Sequence, residues 1–326
     1  MTTLPDGFTM RHPTFADLEA VTQLIAAYQL ATLGEAEITA EELRAEWSEP
    51  GHDLATDAWL VAGPDGALVA IAELWHDHHI QFFGGVRVLP EAQGKGIGTH
   101  LSARWEARAR ELSAHAPDGV RVVLNCSVAE TNAAAHALLE ARGFSLVRHF
   151  WMMRVEMAAP PAAPAWPAGI ALRPFAPERD ARAVFAALDE AFSDHWGHLP
   201  MEYAIWEHFA LQNPDFDPTL MLVAWDGDQV AGVANCGREA NIGWVHQLAV
   251  RRPWRKRGLG RALLLYAFGA FYGRGERAVG LGVDAQNLTG ALRLYEGAGM
   301  RPTRQMDRFQ KELRAGKELA TSALAD

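Results

Sequence analysis

The chain has 326 residues, 49% of them hydrophobic and 21% charged, with a formal net charge of -10. That is the composition of a globular protein with room for two buried cores, not of a disordered chain. The acidic balance argues against general nucleic-acid binding, which needs basic surface over many phosphates, and no apolar run approaches the roughly 18 residues of a membrane span.

In chain order, MTTLPDGFTM has no basic stretch leading into an apolar core, so the expected location is cytoplasmic. A short strand is predicted at Phe8–His12 and helical segments over Phe15–Leu33. Apolar strands follow at Ala58–Ala62 and Ala67–Trp75 around a Pro-Asp-Gly turn. His76 to His79, "HDHH", suits a polar hairpin end, and with no second ligand cluster in the sequence no metal site is expected. A further strand, Phe82–Val88, runs into Gln93-Gly94-Lys95-Gly96-Ile97-Gly98-Thr99 and a helix; a strand at Arg121–Val128 and an Asn132-headed helix lead to a last strand. Met157 to Gly169, with four prolines among small residues, cannot propagate a helix or a central strand and reads as a semi-extended linker.

The pattern then repeats. Strands at Ile170–Pro174, Met221–Ala224, Val230–Cys236, Trp244–Val250 and Ala278–Val283 match those of the first half, as does a helix at Ala181–Phe192. Gly96 and Gly98 lie 162 positions before Gly258 and Gly260, and Arg11 lies 162 before Arg173. Two copies of one domain are expected: 1–157, a linker at 158–168, 169–314, and a tail at 315–326 that frays. Each copy is α/β (α+β), a twisted mixed sheet flanked by helices. Cys126 and Cys236 sit far apart among apolar residues, as buried thiols do in a reducing compartment.

The second copy's glycine turn is the most charged stretch of the chain. Arg251, Arg252, Arg255, Lys256, Arg257 and Arg261 fall within eleven residues around Gly258-Leu259-Gly260. A strand ends there and a helix starts, so the first helical amides point outward without partners, and the helix dipole reinforces them. Glycines allow a ligand's phosphates to approach the backbone, and cations add charge-assisted bonds. The turn therefore reads as a cradle for a diphosphate-bearing ligand, with a solvated basic turn before a buried helix as the bland alternative.

Arg255-Lys256-Arg257-Gly258-Leu259-Gly260 resembles motif A of the GNAT superfamily of acyl-CoA N-acyltransferases, [RQ]-x-x-G-x-[GA], and Gln93-Gly94-Lys95-Gly96-Ile97-Gly98 fits it too. "NAAAHALLEARGF" and "NLTGALRLYEGAGM" resemble the family's motif B. The resemblance implies a sheet whose central parallel strands splay to hold a pantetheine arm, with acetyl-CoA as cosubstrate and no metal. It implies acetyl-CoA contacts from Leu248, Ala249, Val250, Arg255, Lys256, Arg257, Gly258, Leu259, Gly260, Arg261 and Asn287. In the first copy it implies the same from Val88, Gln93, Gly94, Lys95, Gly96, Ile97, Gly98 and Thr99. Asn287 and Asn132 also suit helix N-caps.

Many members use a motif B tyrosine to protonate the departing thiolate. That position is Tyr295 in the second copy and Leu139 in the first, so the second is expected to catalyse and the first not. Tandem members with an inactive first copy are known in the superfamily. The strand glutamate common in the family is replaced here by Trp244. His246, two residues on and so on the same face, can serve as base or be an ordinary strand residue; Glu202, Glu239 and a water chain are weaker choices. Asp194, His195 and Trp196 lie where the family builds its acceptor site, and the bland reading makes this stretch a helix-loop-helix with core tryptophans. The expected partner is a small-molecule amine, with no nucleic acid or membrane, in a monomer or homodimer. A non-catalytic acyl-CoA sensor and a protein or peptide acetyltransferase are the alternatives.

Overall fold

The computed structural model describes residues 3–212, 216–239, 242–287 and 290–321. The chain divides into two compact units, and neither is one continuous stretch. The first comprises Met1–His149 and Met306–Leu319; the second comprises Phe150–Gln305 and Ala320–Asp326.

In the first unit, β1 (Thr9–Arg11) precedes α1 (Leu18–Leu33), α2 (Ala40–Trp47) and α3 (Leu54–Asp57). Then come β2 (Ala58–Ala62), β3 (Leu68–Asp77), β4 (Gln81–Val88), α4 (Ile97–Leu112), β5 (Val122–Ala129) and α5 (Ala133–Ala141). β6 (Ser145–Glu156) leaves this unit at His149 and continues into the second. There follow β7 (Ile170–Arg173), α6 (Pro177–Phe192), α7 (Tyr203–Leu211), β8 (Met221–Asp226), β9 (Gln229–Glu239) and β10 (Ile242–Val250). α8 (Leu259–Gly273), β11 (Ala278–Asp284), α9 (Ala291–Gly297) and β12 (Arg301–Arg314) complete the chain, β12 passing back into the first unit at Met306.

The expected contiguous domains thus differ from the observed units in their closing strands. β12 pairs antiparallel with β5, from Met306 opposite Ala129 to Arg314 opposite Val122, while β6 pairs with β11 from Phe150 opposite Asp284 to Glu156 opposite Ala278. Each copy supplies the other's last strand. Local patterning cannot foretell this, because a strand reads the same whichever neighbour fills its ladder.

Each unit keeps one parallel pair at its centre, and that pair soon parts. β10 matches β11 only at Gly243 with Val279 and Trp244 with Gly280; β4 matches β5 only at Gln81 with Val123 and Phe82 with Leu124. In the second unit the register of β10 on β9 shifts between Val245 and Gln247, a bulge at His246 that bends the strand as it leaves β11.

Helices cover both faces of the second unit's sheet. α8 buries Leu263, Leu264, Phe268 and Phe271 against Val245, Val279 and Leu281. α6 buries Val184, Ala187, Leu188 and Ala191, at three- and four-residue spacing, against Val223, Val233 and Ala249. Trp206 of α7 is a core residue of that face, in ring contact with Phe185 and Tyr203. In the first unit α1 and α2 bury Val21, Leu24, Ile25, Leu43 and Trp47 against Leu60 and Ile71. Both cysteines are buried and free, and burial pushes the Cys126 thiol up to about 11.

The linker packs rather than waving free: Trp166 meets Tyr266 of α8 edge-on at 5.8 Å. The tail, expected to fray, is hydrogen-bonded as far as it is described. Arg121 donates its backbone N–H to Lys317 O at 2.9 Å, and Thr321 bonds to the loop after α6.

Candidate active site

The second unit's motif A turn begins where β10 parts from β11. Gly258 adopts φ +86°, the left-handed geometry that glycine takes without a steric penalty, and α8 starts at the next residue. The first helical bond runs from Ala262 N–H to Gly258 O, so the amides of Leu259, Gly260 and Arg261 are left without intrahelical partners. A Cβ on Gly260 would sit 3.0 Å from Leu294 Cδ1, so this glycine lets α8 and α9 meet.

A cleft of about 580 Å³ opens over these amides. Leu248, Ala249, Val250, Arg255, Lys256, Gly258, Leu259, Gly260 and Arg261 line it, together with Asp194, His195 and Tyr295. Of the residues expected there, Arg257, Asn287, Trp196 and His246 do not line it. Arg252 of the basic stretch does, as do Trp254 and Ala191, which no motif had singled out.

Much of the positive charge is spent inside the protein. The Arg255 guanidinium donates from Nε to Val250 O at 3.0 Å, from Nη2 to Ala191 O at 3.2 Å and from Nη1 to Asp194 Oδ2 at 2.6 Å. Arg252 donates to the other Asp194 oxygen at 2.6 Å, and Arg251 to Glu190 at 2.6 Å. Arg255 therefore pins the strand end to the turn, instead of presenting its guanidinium to phosphate as the sequence suggested. Asp194, expected to grip an acceptor, is the counter-ion of that pin: its side chain is only 4% exposed, and the two guanidiniums hold its carboxyl below the usual range. Lys256, Arg257 and Arg261 remain, exposed and without a partner among the described residues. Lys256 holds φ +61°, where the first copy has Gly94 at φ +72°.

Tyr295 on α9 is 8% exposed, and its hydroxyl has no hydrogen-bond partner among the described residues. Burial pushes its pKa up to about 12, so it keeps its proton throughout the neutral range. His195 lines the same cleft with its ring against Phe192, centroids 4.3 Å apart, and its own pKa is lowered, chiefly by burial. The loop that carries it is tied down by Thr321, whose carbonyl accepts from Gly197 N–H at 2.7 Å and whose hydroxyl donates to Ser193 O at 2.9 Å. Nothing in the sequence pointed to Thr321.

His246 lies over Gly237, the cross-strand partner of Trp244, so it shares that face as expected. Its side chain is 40% exposed, with Nδ1 3.3 Å from Glu239 Oε1. Asn287 accepts weakly from Ala291 N–H at 3.4 Å, while the cap position itself belongs to Gly290. Asn132, its counterpart, caps α5 through Ala135 N–H at 3.1 Å.

The first unit repeats the frame with other side chains. Gly96 has φ +84°, Gln93 Nε2 donates to Val88 O at 3.1 Å as Arg255 does to Val250, and Leu138 meets Gly98 as Leu294 meets Gly260. Lys95 sits over the Phe8 ring at 5.7 Å, and Ile97 is buried. Leu139 occupies the place of Tyr295. The Asn132 amide donates to Tyr28 Oη at 3.1 Å, and an ion pair joins half-buried Arg87 to buried Glu73 at 2.7 Å, with the Trp47 indole on the same carboxylate.

The family model for the acetyltransferase (GNAT) family matches residues 21–144 and again 181–300. The chain belongs to the GNAT family. It is an acetyl-CoA-dependent N-acetyltransferase with two GNAT repeats. A mycothiol acetyltransferase of Kineococcus radiotolerans is 34% identical over 74% of this chain and 77% of its own length. That of Thermobispora bispora is 33% identical over 66% and 71%. A GCN5-related N-acetyltransferase from Sphaerobacter thermophilus superposes with a TM-score of 0.84 at 37% identity, covering 98% of this chain and all of that one. A tandem GNAT protein from the clavulanic acid biosynthesis pathway shares the fold, with a TM-score of 0.75 at 16% identity over 95% of this chain and all of its own. Among the described residues no helix is long and apolar enough to cross a membrane, and no group of three or more His, Cys, Asp or Glu is placed to hold a metal.

Proposed function

We propose that the second unit transfers an acetyl group from acetyl-CoA directly to the primary amine of a small molecule, with Tyr295 as the proton donor. One observation carries this reading: the unpaired amides of the first turn of α8 and the partnerless hydroxyl of Tyr295 open onto a single cleft. The amides of Leu259, Gly260 and Arg261, with Lys256, Arg257 and Arg261 around them, fit a diphosphate. Leu248, on the strand that has lost its parallel neighbour, leaves backbone groups open to a pantetheine arm and a thioester carbonyl, while the Val250 carbonyl is held by Arg255.

When bound, acetyl-CoA supplies the activated acetyl carbon. The chain holds the diphosphate end, excludes water with Leu294 and Tyr295, and sets the acceptor nitrogen within reach of that carbon. As the C–N bond forms and the C–S bond breaks, the sulfur takes the Tyr295 proton. The dry site that keeps the proton on Tyr295 also makes a bare thiolate costly, so the O–H bond is worth most as the sulfur's charge develops.

The curated relatives are named mycothiol acetyltransferases, which favours a small-molecule acceptor over a protein. In the first unit, Leu139 offers no proton, and the Asn132 amide is already committed to Tyr28. We assign that unit no transfer, while its glycine turn keeps the frame for holding a coenzyme. Incubating the protein with acetyl-CoA and a panel of small amines, amino sugars and cysteine-bearing sugars among them, tests the reading by the free thiol released. Thiol release that depends on an amine supports it; none with any amine refutes it. Titration calorimetry with CoA distinguishes one coenzyme site per chain from two.

A further inference from the structure

The amine of an acceptor reaches neutral water as an ammonium and must lose a proton before it attacks. Among the described residues, and apart from Lys256 and the arginines, the ionisable side chains lining the cleft are Asp194, His195 and Tyr295. Asp194 is locked between Arg252 and Arg255, and its carboxylate is the weaker base for it. Tyr295 enters with its proton in place.

We infer that His195 is the catalytic residue that takes the proton from the acceptor's ammonium. Neither ring nitrogen has a hydrogen-bond partner among the described residues, so one is open to receive an N–H from the cleft. The backbone fixes the ring's place: His195 N–H donates to Phe192 O at 2.8 Å, and Thr321 ties the residues on either side. The groups that face it are His198 and Asp194 of its own loop, Arg255 of the turn and Asp284 at the end of β11. Burial, with His198 and Arg255, favours the neutral ring, and Asp284 and Asp194 oppose them; the net effect lowers its pKa, leaving a free imidazole at pH 7. The balance closes without a further reagent: an N–H bond of the ammonium breaks, its electron pair stays on nitrogen, and an N–H bond forms on the imidazole. The freed lone pair then attacks the acetyl carbon, and the second proton that the nitrogen sheds on becoming an amide replaces the one Tyr295 has given to sulfur. His246, tied to Glu239 on the exposed bulge, is the rival acceptor.

The inference rests on the transferase reading above, and the experiment separates the two. kcat/KM for the best amine is measured from pH 5 to 9 for the wild type, His195→Ala, His195→Gln and His246→Ala, with melting curves to confirm that each folds. The wild-type rate should fall on the acid side through a pKa below 6.5. His195→Ala should lower kcat/KM about 10²- to 10³-fold and lose that limb, and added imidazole should restore part of the rate. The glutamine variant, which fills the space without a base, should fail as the alanine variant does. An acid limb unchanged in both His195 variants overturns the inference, as does its loss in His246→Ala alone. A loss carried wholly by KM for acetyl-CoA and untouched by imidazole makes His195 structural and overturns it too. A wild type that releases no thiol with any amine overturns the transferase reading itself, and this assignment with it.

Discussion

Replacing Tyr295 by Phe removes one oxygen and nothing else. The hydroxyl makes no bond to the described residues in the free chain, and the residue as a whole is 8% exposed. Deleting it therefore breaks no native hydrogen bond. The hydroxyl opens onto the cleft and is not an unsatisfied donor shut in the core, so stability should hold to within about 0.5 kcal/mol. Catalysis should fall. A positioned acid contributes about 10²- to 10⁴-fold, or roughly 3–5 kcal/mol of barrier, and the phenyl ring has no proton to give. Thiol release under saturating acetyl-CoA reads kcat, and a thermal melt reads stability; KM for acetyl-CoA should move less than threefold because the glycine turn is untouched. A Phe variant as fast as the wild type would refute the proton-donor role. A variant that melts several degrees lower would show that the hydroxyl was holding the fold, contrary to the geometry.

Gly258→Ala should lower stability by about 1–2 kcal/mol through backbone strain alone, since its φ is +86° and no atom lies within 4 Å of the added carbon; a denaturant titration reads this. Removing Lys256, Arg257 and Arg261 together should raise KM for acetyl-CoA at least tenfold and flatten its dependence on salt, because these cations are exposed and unpaired. Truncation after Leu319 should weaken the loop that carries Asp194 and His195, seen as faster amide exchange over 193–198 and a lower kcat, since Thr321 bonds to Ser193, Gly197 and His198. Burial and nearby Glu73 push Glu46 in the first unit up to about 7. A raised carboxyl pKa means the folded chain holds a proton that the unfolded chain has lost. Its stabilising effect is complete below about pH 4.5 and fades as pH rises to about 7, by roughly 3 kcal/mol in all; Glu46→Gln should remove that part of the slope in urea midpoints measured from pH 4.5 to 7.5.

The glycine turns were legible because their physics is local. A left-handed residue before a helix, and amides left over in its first turn, follow from a few adjacent residues, and Gly96 and Gly258 adopt that geometry almost identically. The charges around them were less legible, for the opposite reason. From sequence, Arg255 and Asp194 look like ligands for a phosphate and an amine; across 61 positions they find each other, and the partner of a charge is a fact of tertiary structure. His246 was a sound choice by strand periodicity and does lie on the face of Trp244, yet the bulge beside it aims it at Glu239.

What the sequence determined by itself was the repeat, the two glycine turns, and the difference between Tyr295 and Leu139, because each is written in residues close together or at a fixed offset. What only the tertiary structure decided was which strand closes which sheet, which cations stay free, and which imidazole shares a cleft with Tyr295. Those depend on contacts between segments far apart in the chain, where many partners satisfy the same local pattern and packing selects one.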